Sequence, residues 1–147
     1  MPDFSSSVYI EAPPDVVFAH LVKAERMVLW MGQSAELHPT PGGRFAVDVN
    51  GFLFRGEYLE VEPPDRLVVS WGLAGSEDFP PGSSRVEFTL TRASTGTNLK
   101  LTHSGLPDTR ASTHGAGWGN YLARLQAVAC GIDPGPDSWM PAANRVV

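Results

Sequence analysis

The sequence has very little cysteine, with Cys130 as the only one among its 147 residues, so no intrachain disulfide can form. This absence suits a reducing compartment, and we expect a cytoplasmic protein. No basic segment followed by an apolar run stands near the first residue, so no signal peptide is predicted. No apolar run approaches the roughly 20 residues that cross a bilayer, so a membrane span is not expected either.

Residue patterns that commonly form metal or catalytic sites are also missing. The four histidines lack close helical or strand pairing, so we predict no metal site and no cofactor. The chain contains neither a Gly-x-Ser-x-Gly elbow nor a recognisable Ser/His/Asp arrangement. Gly115–Gly119 looks like a phosphate loop but lacks its Lys and Ser/Thr and does not directly follow a strand. No catalytic residue is therefore assigned, and whether the protein is an enzyme stays open.

Positive charge is scarce as well. Eleven Lys and Arg stand against 16 Asp and Glu, which gives a net charge of −5 without any basic run. Such a chain is a poor candidate for binding nucleic acid, so we expect no nucleic-acid partner. Hydrophobic residues make up 42% of the sequence, enough for one folded domain over residues 1–147. We place its core at about residues 5–132, followed by a tail over residues 133–147.

The hydrophobic pattern predicts a strand, two short helices, about six strands and one long helix. Alternating residues such as Phe45, Val47 and Val49 indicate strands, and Asn50-Gly51 is typical of a hairpin turn. Consecutive strands that are joined by short turns pair antiparallel. The order therefore predicts an antiparallel sheet between short helices and one long helix.

The long helix is the clearest prediction. From Trp118 onward, apolar residues recur at steps of three and four, which is the period of an amphipathic helix. The glycines between His114 and Asn120 predict a loose or closely packed entrance to it. Two large aromatic side chains, Trp118 and Tyr121, fall on the stripe that this helix must bury.

One predicted strand contains a conflict of parity. Phe52 and Phe54 share one face, whereas Leu59 and Val61 follow the opposite parity. A bulge at Gly56 would place both halves on the same face, because one extra residue reverses the parity. The rival is a regular strand that brings Arg55 and Glu57 inward as a buried, ligand-orienting pair. We predict the bulge.

The order of elements and several local motifs resemble the START-like, birch-pollen-allergen-like superfamily, also called SRPBCC. They are most similar to its branch of heat-shock-chaperone ATPase activator homologue-like (AHSA-like) domains. The resemblance implies an α+β helix-grip fold, in which a curved antiparallel sheet wraps a long C-terminal helix and leaves a cavity between sheet and helix. The motifs that carry it are Ile10–Phe18, Trp30-Met31, Pro41–Phe45, Gly56–Leu67, Leu101–Leu106 and Gly117-Trp118 leading into Leu122 and Leu125.

The resemblance also implies a function, the binding of a small hydrophobic or amphipathic ligand in that cavity. Aromatic side chains on inward positions offer area to such a ligand, and an N–H or O–H can orient it. For Trp118 and Tyr121, a plain core role explains the pattern equally well. The candidate lining residues are Trp30, Phe45, Phe54, Trp71, Phe88, His103, Trp118 and Tyr121.

Two alternatives remain open. The first is a polyketide cyclase or dehydratase-type enzyme, with His103 or His114 as general acid–base and Tyr58 or Tyr121 holding a carbonyl. It rests on analogy of fold, and it requires a histidine inside the cavity.

The second alternative is an interaction module, either chaperone-linked or a homodimer. Trp139 and Met140 in the tail are its hint. His20 and His38 have no evident role in any of these functions, and both are predicted at the surface.

Overall fold

A computed structural model describes residues 4–107 and 111–137, with side chains described from residue 114 onward in the second range. It confirms the predicted order of one strand, two short helices, six further strands and a long helix. The elements are β1 (Phe4–Ile10), α1 (Pro14–Val22), α2 (Ala24–Met27), β2 (Ser34–Leu37), β3 (Arg44–Val49), β4 (Phe52–Glu62), β5 (Arg66–Leu73), β6 (Ser84–Arg92), β7 (Thr97–Ser104) and α3 (Ala111–Ala129).

The seven strands form one curved antiparallel sheet in the order β1-β7-β6-β5-β4-β3-β2. Each strand from β2 to β7 pairs with the next along the chain, as short turns require. β1 returns to pair with β7, from Phe4 opposite His103 to Ile10 opposite Thr97. The inner face of the sheet and the apolar stripe of α3 bury the core between them.

Helix α3 continues through the glycines, so the prediction of a loose entrance at residues 114–119 is wrong. A Cβ on Gly115 would lie only 3.1 Å from Cδ1 of Phe4, which shows that the helix packs closely on β1 there. Tertiary packing thus overrides the low helix propensity of glycine. The predicted stripe is confirmed, because Trp118, Tyr121 and Leu122 are all buried.

The predicted bulge at Gly56 is wrong in position. The ladder between β3 and β4 runs without interruption past Gly56, which pairs with Phe45. The register between β4 and β5 shifts instead between Tyr58 and Glu60. This shift places Tyr58 and Val61 on the same inner face and leaves Leu59 38% exposed.

Gly56 has a different role, which is to allow a close approach of two strands. A Cβ there would lie 1.9 Å from the main-chain oxygen of Ser70 on β5. The rival prediction, an inward Arg55–Glu57 pair, is also wrong. Arg55 binds Asp48 at 2.8 Å on the outer face, away from the core.

Of the two histidines that were predicted at the surface, one is exposed and the other is buried. His38 is exposed, as predicted, but His20 is only 2% exposed, so its prediction as a surface residue is wrong. Its Nδ1 lies 2.9 Å from the main-chain oxygen of Val16, and its own main-chain oxygen accepts a hydrogen bond from Trp30 Nε1 at 2.9 Å. Helical spacing alone did not reveal that the α2 segment covers this side of α1.

The chain after α3 folds back onto the helix. Arg124 donates from Nε to the main-chain oxygen of Trp30 at 2.9 Å and from Nη2 to that of Gly135 at 2.9 Å. Its Nη1 lies 3.4 Å from the main-chain oxygens of Pro134 and Pro136. One guanidinium therefore contacts three successive residues, 134–136, of the segment that follows α3. Trp139 and Met140, the hint of an interaction surface, lie outside the described residues.

A pair of glycine substitutions tests this packing. Gly56→Ala forces a Cβ against the backbone of β5, and we expect the free energy of unfolding to fall by about 1–3 kcal/mol. Gly119→Ala meets nothing within 4 Å in a helix, and should raise it by up to about 1 kcal/mol. Urea denaturation of both variants measures these changes. A Gly56→Ala variant as stable as the wild type would contradict the close approach.

Candidate functional site

Aromatic side chains from five strands, one loop and α3 meet on the inner face of the sheet. Trp71 lies at their centre, with its ring centroid 5.1 Å from Phe54, 5.3 Å from Trp118 and 5.4 Å from Phe45. They meet because alternate residues of neighbouring strands face the same side. We call this group the aromatic cluster: Phe45, Phe54, Trp71, Phe79, Phe88, His103, His114 and Trp118.

The structure thus brings together most of the predicted lining residues, while Trp30 and Tyr121 are placed by other contacts. Trp30 is fully buried against α1. Tyr121 donates to Asp137 Oδ1 at 2.9 Å, and Asp137 Oδ2 accepts from the Gly32 amide at 2.7 Å. Burial, followed by the nearby Asp137 carboxylate, raises the pKa of Tyr121. Tyr121 is therefore a neutral donor near physiological pH.

His103 is the polar centre of the aromatic cluster, and its hydrogen bonds define its tautomer. Trp118 Nε1 lies 3.0 Å from His103 Nδ1, and an indole N–H can only donate, so Nδ1 accepts. Ser84 Oγ donates to the main-chain oxygen of Trp71 at 2.8 Å. Its lone pairs then accept from His103 Nε2, which lies 2.8 Å away. His103 is therefore the neutral Nε2–H tautomer with both ring nitrogens engaged.

The charge state agrees with this assignment. His103 is fully buried, and burial, helped by the nearby His114, lowers its pKa to about 3. A group that stays neutral and fully hydrogen-bonded is well suited to hold its neighbours in place. Here it orients the indole of Trp118, which α3 supplies, against the sheet.

His114, one turn before Trp118, lies among other rings rather than in open solvent. Its ring centroid is 5.0 Å from Phe79, 5.4 Å from His103 and 6.2 Å from Phe54. All three neighbouring rings are nearly perpendicular to it. The side chain is half-buried, so it forms a wall of the aromatic cluster at the start of α3.

Phe79 is the member that the sequence did not predict, because it lies in the acidic loop between β5 and β6. Hydrogen bonds anchor this loop: Phe79 N donates to Ser76 Oγ at 3.0 Å, and its main-chain oxygen accepts from the Leu73 amide at 2.7 Å. The side chain is fully buried. A single large aromatic in an otherwise polar loop was the available indication.

Trp71 carries an unusual donor within the aromatic cluster. Its Nε1 is buried and has no hydrogen-bond partner within the described part of the chain. The corresponding atom of Trp118, by contrast, is satisfied by His103. A buried donor without a partner costs about 1–3 kcal/mol, so such an atom is uncommon in a plain core.

Tyr58, the other residue considered for holding a carbonyl, has its hydroxyl directed to the main-chain oxygen of Leu21 at 3.3 Å. Burial raises its pKa. Over residues 4–107 and 111–137, no group of three or more His, Cys, Asp or Glu side chains is placed to hold a metal ion. Within the same ranges, none of the helices combines the length and apolar composition needed to cross a membrane.

A curved seven-stranded antiparallel sheet packed on a C-terminal helix defines the helix-grip class of folds. Residues 11–129 match the family model described as Activator of Hsp90 ATPase homolog 1-like protein. The chain belongs to this family, which confirms the resemblance seen in its motifs. No curated protein matches the sequence significantly.

Solved structures show the same fold. An AHSA1-like protein from Rhizobium etli is 46% identical, with a TM-score of 0.76, over 95% of this chain and 88% of that one. Protein MLL2253 from Mesorhizobium loti is 26% identical, with a TM-score of 0.80, over 90% and 99% of the two chains. DynU16, described as a putative protein in the dynemicin biosynthetic locus, is 27% identical with a TM-score of 0.78. That match covers 92% of this chain but 50% of DynU16.

The position of His103 predicts a specific pH dependence. Its pKa is about 3 in the folded protein and about 6.5 when unfolded, so between these values the unfolded chain binds more protons. The free energy of unfolding therefore decreases as the pH falls, and His103 alone contributes a loss of about 2–3 kcal/mol between pH 7 and pH 4.5. Urea denaturation of the wild type and His103→Gln at both pH values measures this loss.

The exposed His38 provides the matched control for that experiment. His38→Gln should keep the wild-type dependence, whereas His103→Gln should show a smaller loss between the two pH values. Equal losses in the wild type and His103→Gln would contradict a buried neutral histidine.

Proposed function

We propose that the protein binds a small apolar or amphipathic molecule against the aromatic cluster, between the sheet and α3. The observation that carries this proposal is the buried Nε1 of Trp71, an N–H donor without an acceptor in apolar surroundings. A ligand with a hydrogen-bond acceptor, such as a carbonyl oxygen, would satisfy this atom while its apolar part contacts the surrounding rings.

A bound water molecule is a weaker explanation for the same atom. An ordered internal water needs two to four polar partners, whereas the rings nearest to the Trp71 indole are those of Phe45, Phe54 and Trp118, with His103 further away at 6.1 Å. The nearest histidine with a defined tautomer, His103, has both nitrogens engaged. A molecule that is mostly apolar with a single acceptor suits these surroundings better.

The comparison with DynU16 supports a role connected with small molecules, since that protein is described by its place in a biosynthetic locus. The cyclase or dehydratase alternative has less support. For His103 to act as a general base, it would have to give up the hydrogen bond from Trp118. His114, the other histidine of this alternative, lies in the aromatic cluster, so an enzyme that uses His114 stays a prediction beside the binding function. A chaperone-linked or homodimeric role and a cytoplasmic location stay predictions.

Two probes of equal shape test the role of Trp71. 2-Acetylnaphthalene carries a carbonyl acceptor, and 2-isopropenylnaphthalene replaces its oxygen with a CH2 group. We expect the wild type to bind the ketone about tenfold more tightly, because one buried hydrogen bond differs between them. In Trp71→Phe, which lacks the donor, this preference should disappear. Isothermal titration calorimetry measures both affinities.

Trp30→Phe is the matched control, because Trp30 is also fully buried but its Nε1 already donates to His20. This variant should keep the preference for the ketone, even if its stability falls. Equal binding of the two probes to the wild type, or no binding of either, would reject the proposal.

A further inference from the structure

A groove of about 850 Å³ lies over strands β3 to β6, and most of the side chains that line it point away from the aromatic cluster. Ser84 is the exception, because it lines the groove while its Oγ contacts His103. Its floor includes Gly56 and Ser70, where β4 and β5 approach closely. Pro81 and Gly82 from the β5–β6 loop form one wall, and the exposed Leu59 contributes an apolar contact. Its size is within the range of about 300–1,000 Å³ that is usual for small-molecule sites.

The charged residues that line this groove are mainly basic, although each arginine is also paired with a carboxylate outside the lining. Arg44, Arg55 and Arg85 line it together with a single carboxylate, Glu57. These are three of only 11 Lys and Arg in a chain of net charge −5. The carboxylates that pair with these arginines, such as Glu36 and Glu60, are not among the lining residues.

The three guanidinium groups keep donors available. Arg44 contacts Glu36 through Nε at 3.2 Å, and Arg85 contacts Glu60 through Nη2 at 3.4 Å. Arg55 uses Nη1 for both Asp48 and the main-chain oxygen of Phe54, each at 2.8 Å. A guanidinium carries five N–H donors, so most of those in the groove have no acceptor in the described part of the chain.

Glu57 adds a hydrogen-bond acceptor to the groove. It lies between the arginines, opposite Arg44 in the β3–β4 ladder, and its amide donates to Ser70 Oγ at 2.9 Å. Within the described residues its carboxylate forms no ion pair, although Arg44 and Arg85 line the same groove. It therefore remains available to accept hydrogen bonds from hydroxyl groups.

We propose that this groove binds a phosphate monoester of a small hydroxyl-bearing molecule, of the size of a sugar phosphate or a nucleoside monophosphate. The guanidinium groups bind the phosphate oxygens through charge-assisted hydrogen bonds, as arginine does in many phosphate sites. Glu57 accepts from the hydroxyl groups, and Leu59 and Pro81 contact the carbon skeleton. The groove lies on the opposite face of the sheet from the aromatic cluster and meets it at Ser84, and the proposal does not depend on the proposed function.

Ribose 5-phosphate and inorganic phosphate are the two probes, titrated into the full 15N-labelled chain. We expect ribose 5-phosphate to bind more tightly, and to shift the amide resonances of Gly56, Ser70 and Gly82 rather than the Trp118 indole resonance. Arg44→Gln and Arg85→Gln, both at exposed side chains, should each weaken its binding about tenfold. Raising the salt concentration should weaken binding further.

Arg92→Gln is the matched control, since Arg92 is exposed near the end of β6 and does not line the groove. It removes the same charge and should leave the affinity unchanged. Glu57→Gln separates the two halves of the proposal: it should reduce the preference for ribose 5-phosphate over inorganic phosphate. Equal affinity for the two probes, equal losses in Arg92→Gln and Arg85→Gln, or no binding would overturn the proposal.

Discussion

The arrangement of the interior depends on one chain of hydrogen bonds through His103. Trp118 on α3 donates to His103 on β7, which donates to Ser84 on β6, which in turn donates to the main chain of β5. Each donor and acceptor in this chain is used once in one direction, so the imidazole has a single compatible tautomer. The long helix is thus fixed to three strands by directional contacts as well as by apolar packing, which is non-directional.

This chain of hydrogen bonds explains why the indole N–H of Trp71 differs from that of Trp118. Two indoles lie 5.3 Å apart in the same apolar region, and among the described residues only that of Trp118 has an acceptor for its N–H. Because both ring nitrogens of His103 already form hydrogen bonds, His103 cannot also accept from Nε1 of Trp71. The protein carries this unsatisfied donor together with the energetic cost of burying it. Such a cost is common where a site is prepared for something other than its own side chains.

The sequence predicted what depends on periodicity and failed where tertiary contacts decide. The stripe of α3 from Trp118 and the alternation of β3 follow directly from residue spacing. The position of the bulge does not follow from residue spacing. A glycine at position 56 fits a bulge or a close approach of two strands equally well, and only the contact with Ser70 on β5 distinguishes the two. Phe79 was missed because a loop has no periodic pattern, and His20 was missed because helical spacing does not show which neighbouring segment covers α1. The tautomer of His103 depends on three residues that are distant in sequence.

The contacts of Arg124 join two segments that are distant in sequence to α3. One guanidinium binds main-chain oxygens of Trp30, before β2, and of residues 134–136, beyond the end of α3. Because Arg124 is itself part of α3, these contacts connect the Trp30 segment and residues 134–136 directly to the helix. Loss of this one guanidinium would therefore remove hydrogen bonds from both segments to α3 at once.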